Sequence, residues 1–302
     1  MRVSAGMSAE RVVVAGSTGL IGTALCAHLR ERGTEVVELV RGESGSPHQV
    51  RWDAAKGVLD PAALEGSDVV VNLAGAGVGD KRWSREYKET ILRSRVDTTR
   101  LLAERAAQAG VARMVAGSAV GFYGDRGEEV LTEASAGGTG FLAEVVRAWE
   151  QAADPAREAG MSVAHARTGI VMAREGGAMD QVLTLARLGL GGPLGSGRQF
   201  WPLISLVDEV RALTWLIDGE VEGPVNLGAP QPTRQVDLAK ELGRQLHRPA
   251  VLPAPKPAMY AVLGEFAGEI LGSQRVLPQV LREQDFTWEH PDLPAMVRWV
   301  LS

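Results

Sequence analysis

The sequence predicts an α/β protein built on a doubly wound parallel sheet with a smaller C-terminal lobe, and three observations carry that prediction. The unbroken apolar run at 12–15, with the strand-like, mainly apolar stretches at 69–71, 111–116 and 161–166, suits a parallel sheet covered on both faces. Stretches of helical period separate them. The first run passes into the first helix through a glycine-rich turn.

The first strand, Val12 to Ala15, breaks at Gly16. From there Ile21, Leu25 and Leu29 recur on one helical face until Gly33 stops the helix. The turn between them reads Gly16-Ser17-Thr18-Gly19-Leu20-Ile21-Gly22, and each glycine has its own task. Gly16 permits the tight turn, Gly19 lets backbone approach a pyrophosphate, and Gly22 lets helix and strand pack closely. The helix start adds free N–H groups and partial positive charge for phosphates. Strand, turn and helix in this order predict the first half of a dinucleotide-binding unit.

Thr34 to Val40 is the second strand and ends at Arg41. A carboxylate at that point suits the ribose 2′-hydroxyl of NAD, whereas an arginine suits a 2′-phosphate. The nearest acids are Glu38, inside the strand, and Glu43, beyond the turn. The sequence therefore favours NADP(H) over NAD(H).

A loop at 42–47 precedes a short third strand, 50–53, and a short helix that starts at Asp60-Pro61 with Asp60 as its cap. The fourth strand, from Asp68, exits through Asn72-Leu73-Ala74-Gly75, where a sheet of this kind meets its ligand. Ser84 to Gln108 is a long helix with Ile91, Leu92, Val96, Leu101 and Leu102 toward the sheet. Ser94, midway along it, can reach the cofactor or only its own backbone. The fifth strand, 111–116, delivers Gly117-Ser118-Ala-Val-Gly121-Phe-Tyr123-Gly124. A helix at 141–158 and a sixth strand at 161–166 follow, the latter ending on Arg167-Thr168-Gly169. Beyond it, 189–197 carries too much glycine for helix or central strand. A helix at 207–218, a strand at 224–227, an amphipathic helix at 233–246 and a proline cluster at 249–257 complete the chain up to its tail. The dinucleotide-binding part spans 11–171 and is joined by 206–247; 172–205 and 248–302 form the smaller lobe on the substrate side.

Composition narrows the function. A net charge of −5 argues against broad binding to nucleic acid or an anionic membrane. The single cysteine, Cys26, cannot close an internal disulfide and reads as a small core residue of the first helix. Five scattered histidines show no metal-ligand spacing. The first residues lack a signal-peptide core and no apolar stretch is long enough to span a bilayer, so the expected compartment is a reducing cytoplasm.

Together these features resemble the extended short-chain dehydrogenase/reductase superfamily, Rossmann-like in fold. The carriers are the Gly16–Gly22 turn, Asn72-Leu-Ala-Gly75, Gly117-Ser118-Ala-Val-Gly-Phe-Tyr123-Gly124 and Arg167-Thr-Gly-Ile-Val171. Lys81-Arg-Trp83, Ser94-Arg95-Val-Asp-Thr-Thr99, the glycine-rich 188–197 segment and the tail from Pro253 narrow it to the atypical epimerase-family branch with a C-terminal domain of unknown function. The resemblance implies cofactor contacts at the Gly16–Gly22 turn, Arg41, Asn72, Leu73, Ser94, Arg167 and Thr168. By analogy it also implies a homodimer through two long helices.

The superfamily's hydride chemistry uses a serine, a tyrosine acid/base and a lysine four residues further along. Ser118 matches the serine, and Tyr123 is the nearest tyrosine. The expected tyrosine should open the next helix, where Phe141 and Val145 stand instead; Arg147 is off the spacing and does not deprotonate. Two readings stay open. One is an NADP-dependent oxidoreductase or epimerase on a small molecule, its acid/base drawn from Tyr123, Glu133 or Glu144 near Ser118. The other is an NADP(H)-binding sensor or scaffold without turnover.

Overall fold

The computed structural model describes residues 8–302; Met1–Met7, part of the stretch that lacks a signal-peptide core, lie outside them. The chain starts β1 (Arg11–Ala15), α1 (Leu20–Glu31), β2 (Glu35–Val40), β3 (Gln49–Arg51), β4 (Val69–Asn72), α2 (Arg85–Gln108) and β5 (Arg113–Ala119). It continues through β6 (Val130–Leu131), α3 (Phe141–Gln151), α4 (Asp154–Glu158), β7 (Ser162–Thr168), β8 (Ile170–Met172) and α5 (Asp180–Arg187). Next come β9 (Phe200–Trp201), β10 (Leu203–Ser205), α6 (Leu206–Asp218) and β11 (Gly223–Leu227).

Seven of these strands pair in parallel in the order β11-β7-β5-β4-β1-β2-β3. Chain direction across the sheet reverses between β1 and β4, which register as Val12 with Val69 and Ala15 with Asn72. That reversal opens a crevice at the carboxyl ends of the two strands, the binding position in such sheets.

Each face buries its own core. Val12 and Val14 point toward α1 and α6, where Leu25, Leu29, Leu213 and Leu216 are fully buried. Val13 and Ala15 point the other way, with Leu64, Leu102 and Met114, toward α2 and α4. Each such leucine contributes about 2 kcal/mol by leaving water. Polar side chains cap the long helices: Ser84 Oγ accepts from Tyr87 N (3.1 Å) at α2, and Ser205 Oγ from Asp208 N (3.1 Å) at α6.

The structure departs from the sequence reading in three places. The expected helix at 141–158 is two helices, because Pro155 cannot continue α3 and instead sits in the first turn of α4. The expected helix at 233–246 begins with β12 (Thr233–Arg234), antiparallel to β9, and only then becomes α7 (Gln235–Leu246). Leu238 and Leu242 of α7 pack with Leu183 of α5 and Met296 and Val300 of α11 (Leu293–Leu301), so this helix belongs to the smaller lobe, not to the sheet. The lobe includes α8 (Lys256–Leu263), α9 (Phe266–Leu271) and β13 (Arg275–Val276), whereas Leu281 of α10 (Gln279–Glu283) is buried with Leu213 and Leu227 against the sheet. β13 pairs with β6 and β10 with β8, which stitches the lobe to the loops above the sheet. No helix of the described residues is long and apolar enough to cross a membrane.

Candidate functional site

The site is built on the turn after β1. Gly16 has φ +82°, and a Cβ there would lie 2.6 Å from the Leu73 carbonyl carbon. At Gly22 a Cβ would sit 2.1 Å from Gly16 O, so helix and turn touch through the missing side chain. A Cβ at Gly19 would meet only Gly16 O, at 3.4 Å, which leaves the space above it clear of protein. Thr23 N donates to Gly19 O, but the amides of Leu20, Ile21 and Gly22 receive no acceptor from the chain. Ser17 Oγ is buried without a partner, and α1 has no acid in its first turn. An open glycine cradle, free amides and an unanswered hydroxyl fit a diphosphate.

Arg41 lies exposed just past β2, with no carboxylate of the described residues within ion-pair distance. Glu38, the acid closest to it inside the strand, is ion-paired with Arg30 of α1. Burial alone would raise the Glu38 carboxyl; the Arg30 guanidinium outweighs it and holds it below its ordinary value. Cys26, beside this pair, is buried, and burial pushes its thiol up to about 11, with Glu38 adding to the shift. It is no nucleophile.

At the exit of β4 the side chain of Asn72 is committed inside the fold. It donates to Thr99 Oγ1 (2.7 Å) and accepts from Ala74 N (3.1 Å), shaping the turn into Leu73-Ala74-Gly75. Ser94 Oγ accepts from Ala76 N (3.0 Å) and donates to Ile91 O (3.1 Å), so its hydroxyl bonds backbone and pins this loop to α2. Arg95, one residue on, has no acidic partner among the described residues. Nη1 donates to Ala76 O and Ile91 O (both 3.0 Å), the guanidinium lies over the Trp149 ring at 5.1 Å, and a Cβ at Gly75 would touch it at 3.3 Å. Desolvation pulls its pKa down to about 10. A largely buried guanidinium with unused N–H groups at the crevice is a ready anion partner. The sequence showed Arg95 only as part of a motif.

Ser118 and Arg167 are register partners at the ends of β5 and β7. Ser118 Oγ donates to Glu150 Oε1 (2.6 Å), and Arg167 grips the same carboxylate at 2.8 and 3.0 Å. Burial would raise Glu150; the Arg167 pair, with help from Ser118, holds it below its ordinary value. Tyr123 is fully buried: its hydroxyl donates to Asn226 Oδ1 (2.7 Å) and accepts from Arg167 Nη1 (3.0 Å). Burial raises its pKa despite Arg167. The Arg167 guanidinium also stacks 3.6 Å from the Phe122 ring centroid. Thr168 Oγ1 donates to Glu209 Oε1 (2.7 Å), a carboxyl that full burial pushes up to about 8.

The other candidate acids are placed elsewhere. Glu133 accepts from the amides of Asn226, Gln279 and Val280, and Glu144 is exposed on α3. Phe141 packs edge-on against Trp83 at 4.9 Å and Val145 is buried with it. Among the described residues no cluster of three His, Cys, Asp or Glu could hold a metal. Glu150 and Glu209 escaped the sequence reading, because a glutamate on a helix face reads as solvated until the partner strand is known.

Comparison with known proteins gives a consistent result. Residues 12–228 match the NAD dependent epimerase/dehydratase family, and 254–300 match a domain of unknown function (DUF1731). The chain is similar to epimerase family protein Mb2239 of Mycobacterium bovis, at 41% identity over 92% of this chain and 93% of that one. Its structure superposes with TM-score 0.87 on human epimerase family protein SDR39U1 (isoform 2) with NADPH, at 34% identity over 96% and 99% of the two chains. With a nucleoside-diphosphate sugar epimerase from Corynebacterium glutamicum the TM-score is 0.80 at 36% identity, over 96% of this chain and 58% of that one.

Proposed function

Since the chain belongs to the NAD dependent epimerase/dehydratase family, in its atypical extended short-chain dehydrogenase/reductase branch, we propose that it binds NADP(H) across the carboxyl edge of its sheet without the superfamily's usual proton relay. The pyrophosphate lies on the free amides of Leu20, Ile21 and Gly22, beside Ser17, Thr18 and Gly19. The adenosine 2′-phosphate meets Arg41. The nicotinamide half runs over Leu73, Ala74 and Gly75 toward Arg95, Ser118 and Thr168. NADPH in the human relative supports the same coenzyme here. Preference over NADH rests on Glu38: it is neutralised by Arg30, so no free carboxylate waits for a ribose diol.

When bound, NADPH supplies a hydride. The reduced carbonyl oxygen then needs a proton from a side chain at the same spot. Phe141 and Val145 carry none. Ser118 spends its hydrogen on Glu150, and Glu150 is ionised and clamped, so it accepts protons poorly and has none to donate. Tyr123 is sealed beneath the edge, so both residues hold Arg167 and Glu150 in place rather than meet a substrate. This committed Ser118–Glu150–Arg167–Tyr123 set is the observation that carries the reading: an NADP(H)-binding sensor or scaffold on an oxidoreductase frame.

Calorimetry should register NADPH binding to the full chain, with Gly19→Val abolishing it. In a spectrophotometric assay over a panel of aldehydes, ketones and nucleoside-diphosphate sugars, NADPH should persist. Steady consumption that Ser118→Ala removes would restore the oxidoreductase or epimerase reading. No heat with either coenzyme would overturn the binding itself.

A further inference from the structure

The described residues expose nine large apolar side chains, and seven of them come from two stretches that run side by side. Leu185, Leu188 and Leu190 come from the end of α5 and the glycine-rich segment after it; Val251, Leu252 and, on α8, Tyr260 and Val262 come from the other. Backbone bonds zip the two together: Gly195 N donates to Ala254 O (2.8 Å) and Ala254 N to Pro193 O (2.9 Å). At Gly192 a Cβ would lie 2.0 Å from Leu252 O, so only glycine allows the stretches to meet this closely. Leu188 is 67% exposed and Val251 and Val262 are each 74% exposed.

Charge on this surface is mainly positive. Residues 181–197 and 242–264 hold Arg187, Arg248 and Lys256 beside Arg244, which is ion-paired with the flanking Glu241, and contain no carboxylate of their own, in a chain whose net charge is −5. Beside Val251 a shallow, open recess of about 410 Å³ is lined by Gly243, His247 and Ala250, with Lys240, Arg248 and the Glu241-paired Arg244 around it. Neither the cofactor crevice nor the lobe core uses any of these side chains. Seven exposed apolar side chains gathered on two paired stretches mark an interaction site.

We propose that this surface docks an acidic protein segment that presents an apolar anchor to the recess and the leucine ridge, with Asp or Glu beside it. Charge complementarity selects the acid. A two-fold pairing of two copies would set the cations of one against those of the other. A bilayer needs no shaped recess, and its interface favours tryptophan and tyrosine, whereas these tips are leucine and valine with one tyrosine.

The probe is a fluorescent amphipathic helix of about 15 residues, four turns, with leucine on one face and glutamate on the other. Anisotropy with the full chain should saturate and weaken as ionic strength rises. Lys240→Glu/Arg248→Glu should weaken it about tenfold, as should Leu188→Ser/Val251→Ser, while both variants keep the wild-type Tm. The same helix with lysine for glutamate should not bind. No saturable binding, or equal binding by the variants, overturns the proposal. So does patch-dependent sedimentation with phosphatidylserine vesicles without a peptide signal, or a doubled mass in ultracentrifugation that Leu188→Ser returns to monomer.

Discussion

Arg41 and Arg95 are both cations without an acidic partner among the described residues, yet they answer different questions about the coenzyme. Arg41 is exposed after β2, so under the proposed NADP(H) reading it offers charge and shape to the 2′-phosphate alone. Arg41→Asp should cost NADPH about tenfold or more in calorimetric affinity and leave NADH nearly unchanged; equal losses would sink the 2′-phosphate assignment. Arg95 is packed on Trp149 and held by two carbonyls, so Arg95→Leu should weaken both coenzymes alike. Glu209 behaves differently again. Burial raises its carboxyl from 4.5 to about 8, so the folded chain keeps a proton that the unfolded chain releases. Its stabilising contribution is whole below the lower value and is lost as pH rises through about 8. Thermal melts should therefore show Tm falling between about pH 4.5 and pH 8, and falling less in Glu209→Gln. A pH profile unchanged by that substitution would remove Glu209 as the cause.

At the scale of elements, caps and glycines decide where segments stop and how near they approach. The glycine turn was legible in the sequence because three residues without side chains stand at fixed spacing between an apolar run and a helical period. Its closest contact makes a direct test: Gly22→Val must push α1 off the turn, since even a Cβ would be 2.1 Å from Gly16 O. The expected outcome is a loss of several degrees in Tm together with coenzyme binding, read by calorimetry on the same sample. Ser84→Ala at α2 removes only a cap and should cost about 1 kcal/mol in denaturant unfolding, with binding intact. The break between α3 and α4 was marked in the sequence by Pro155 but masked by the helix-forming alanines around it, and the short β12 was hidden. Alanine at 152, 153 and 156 fits a continuous helix as well as a broken one. Arg234 becomes strand only because Phe200 offers it an edge.

Across the whole molecule, the tail is held by a few buried polar groups as much as by its apolar core. Asp208, fully buried at the start of α6, accepts from Glu289 N (2.7 Å) and His290 N (2.9 Å), while Trp288 Nε1 donates to Gly228 O (3.0 Å). Asp208→Ala leaves those amides unanswered, so limited proteolysis should cut near 284–292 faster than in the wild type. The alternation of strand and helix, the phosphate turn, the missing Tyr–Lys pair and the arginine after the second strand were all determined by local residue order, because each depends on spacing along one stretch. Only the tertiary structure decided that Tyr123, Ser118, Glu150 and Arg167 spend their hydrogen bonds on one another, that α7 leaves the sheet for the lobe, and that an unpaired arginine faces the crevice. Partners far apart in the chain set those outcomes, and no pattern within a single segment records which distant side chain will arrive.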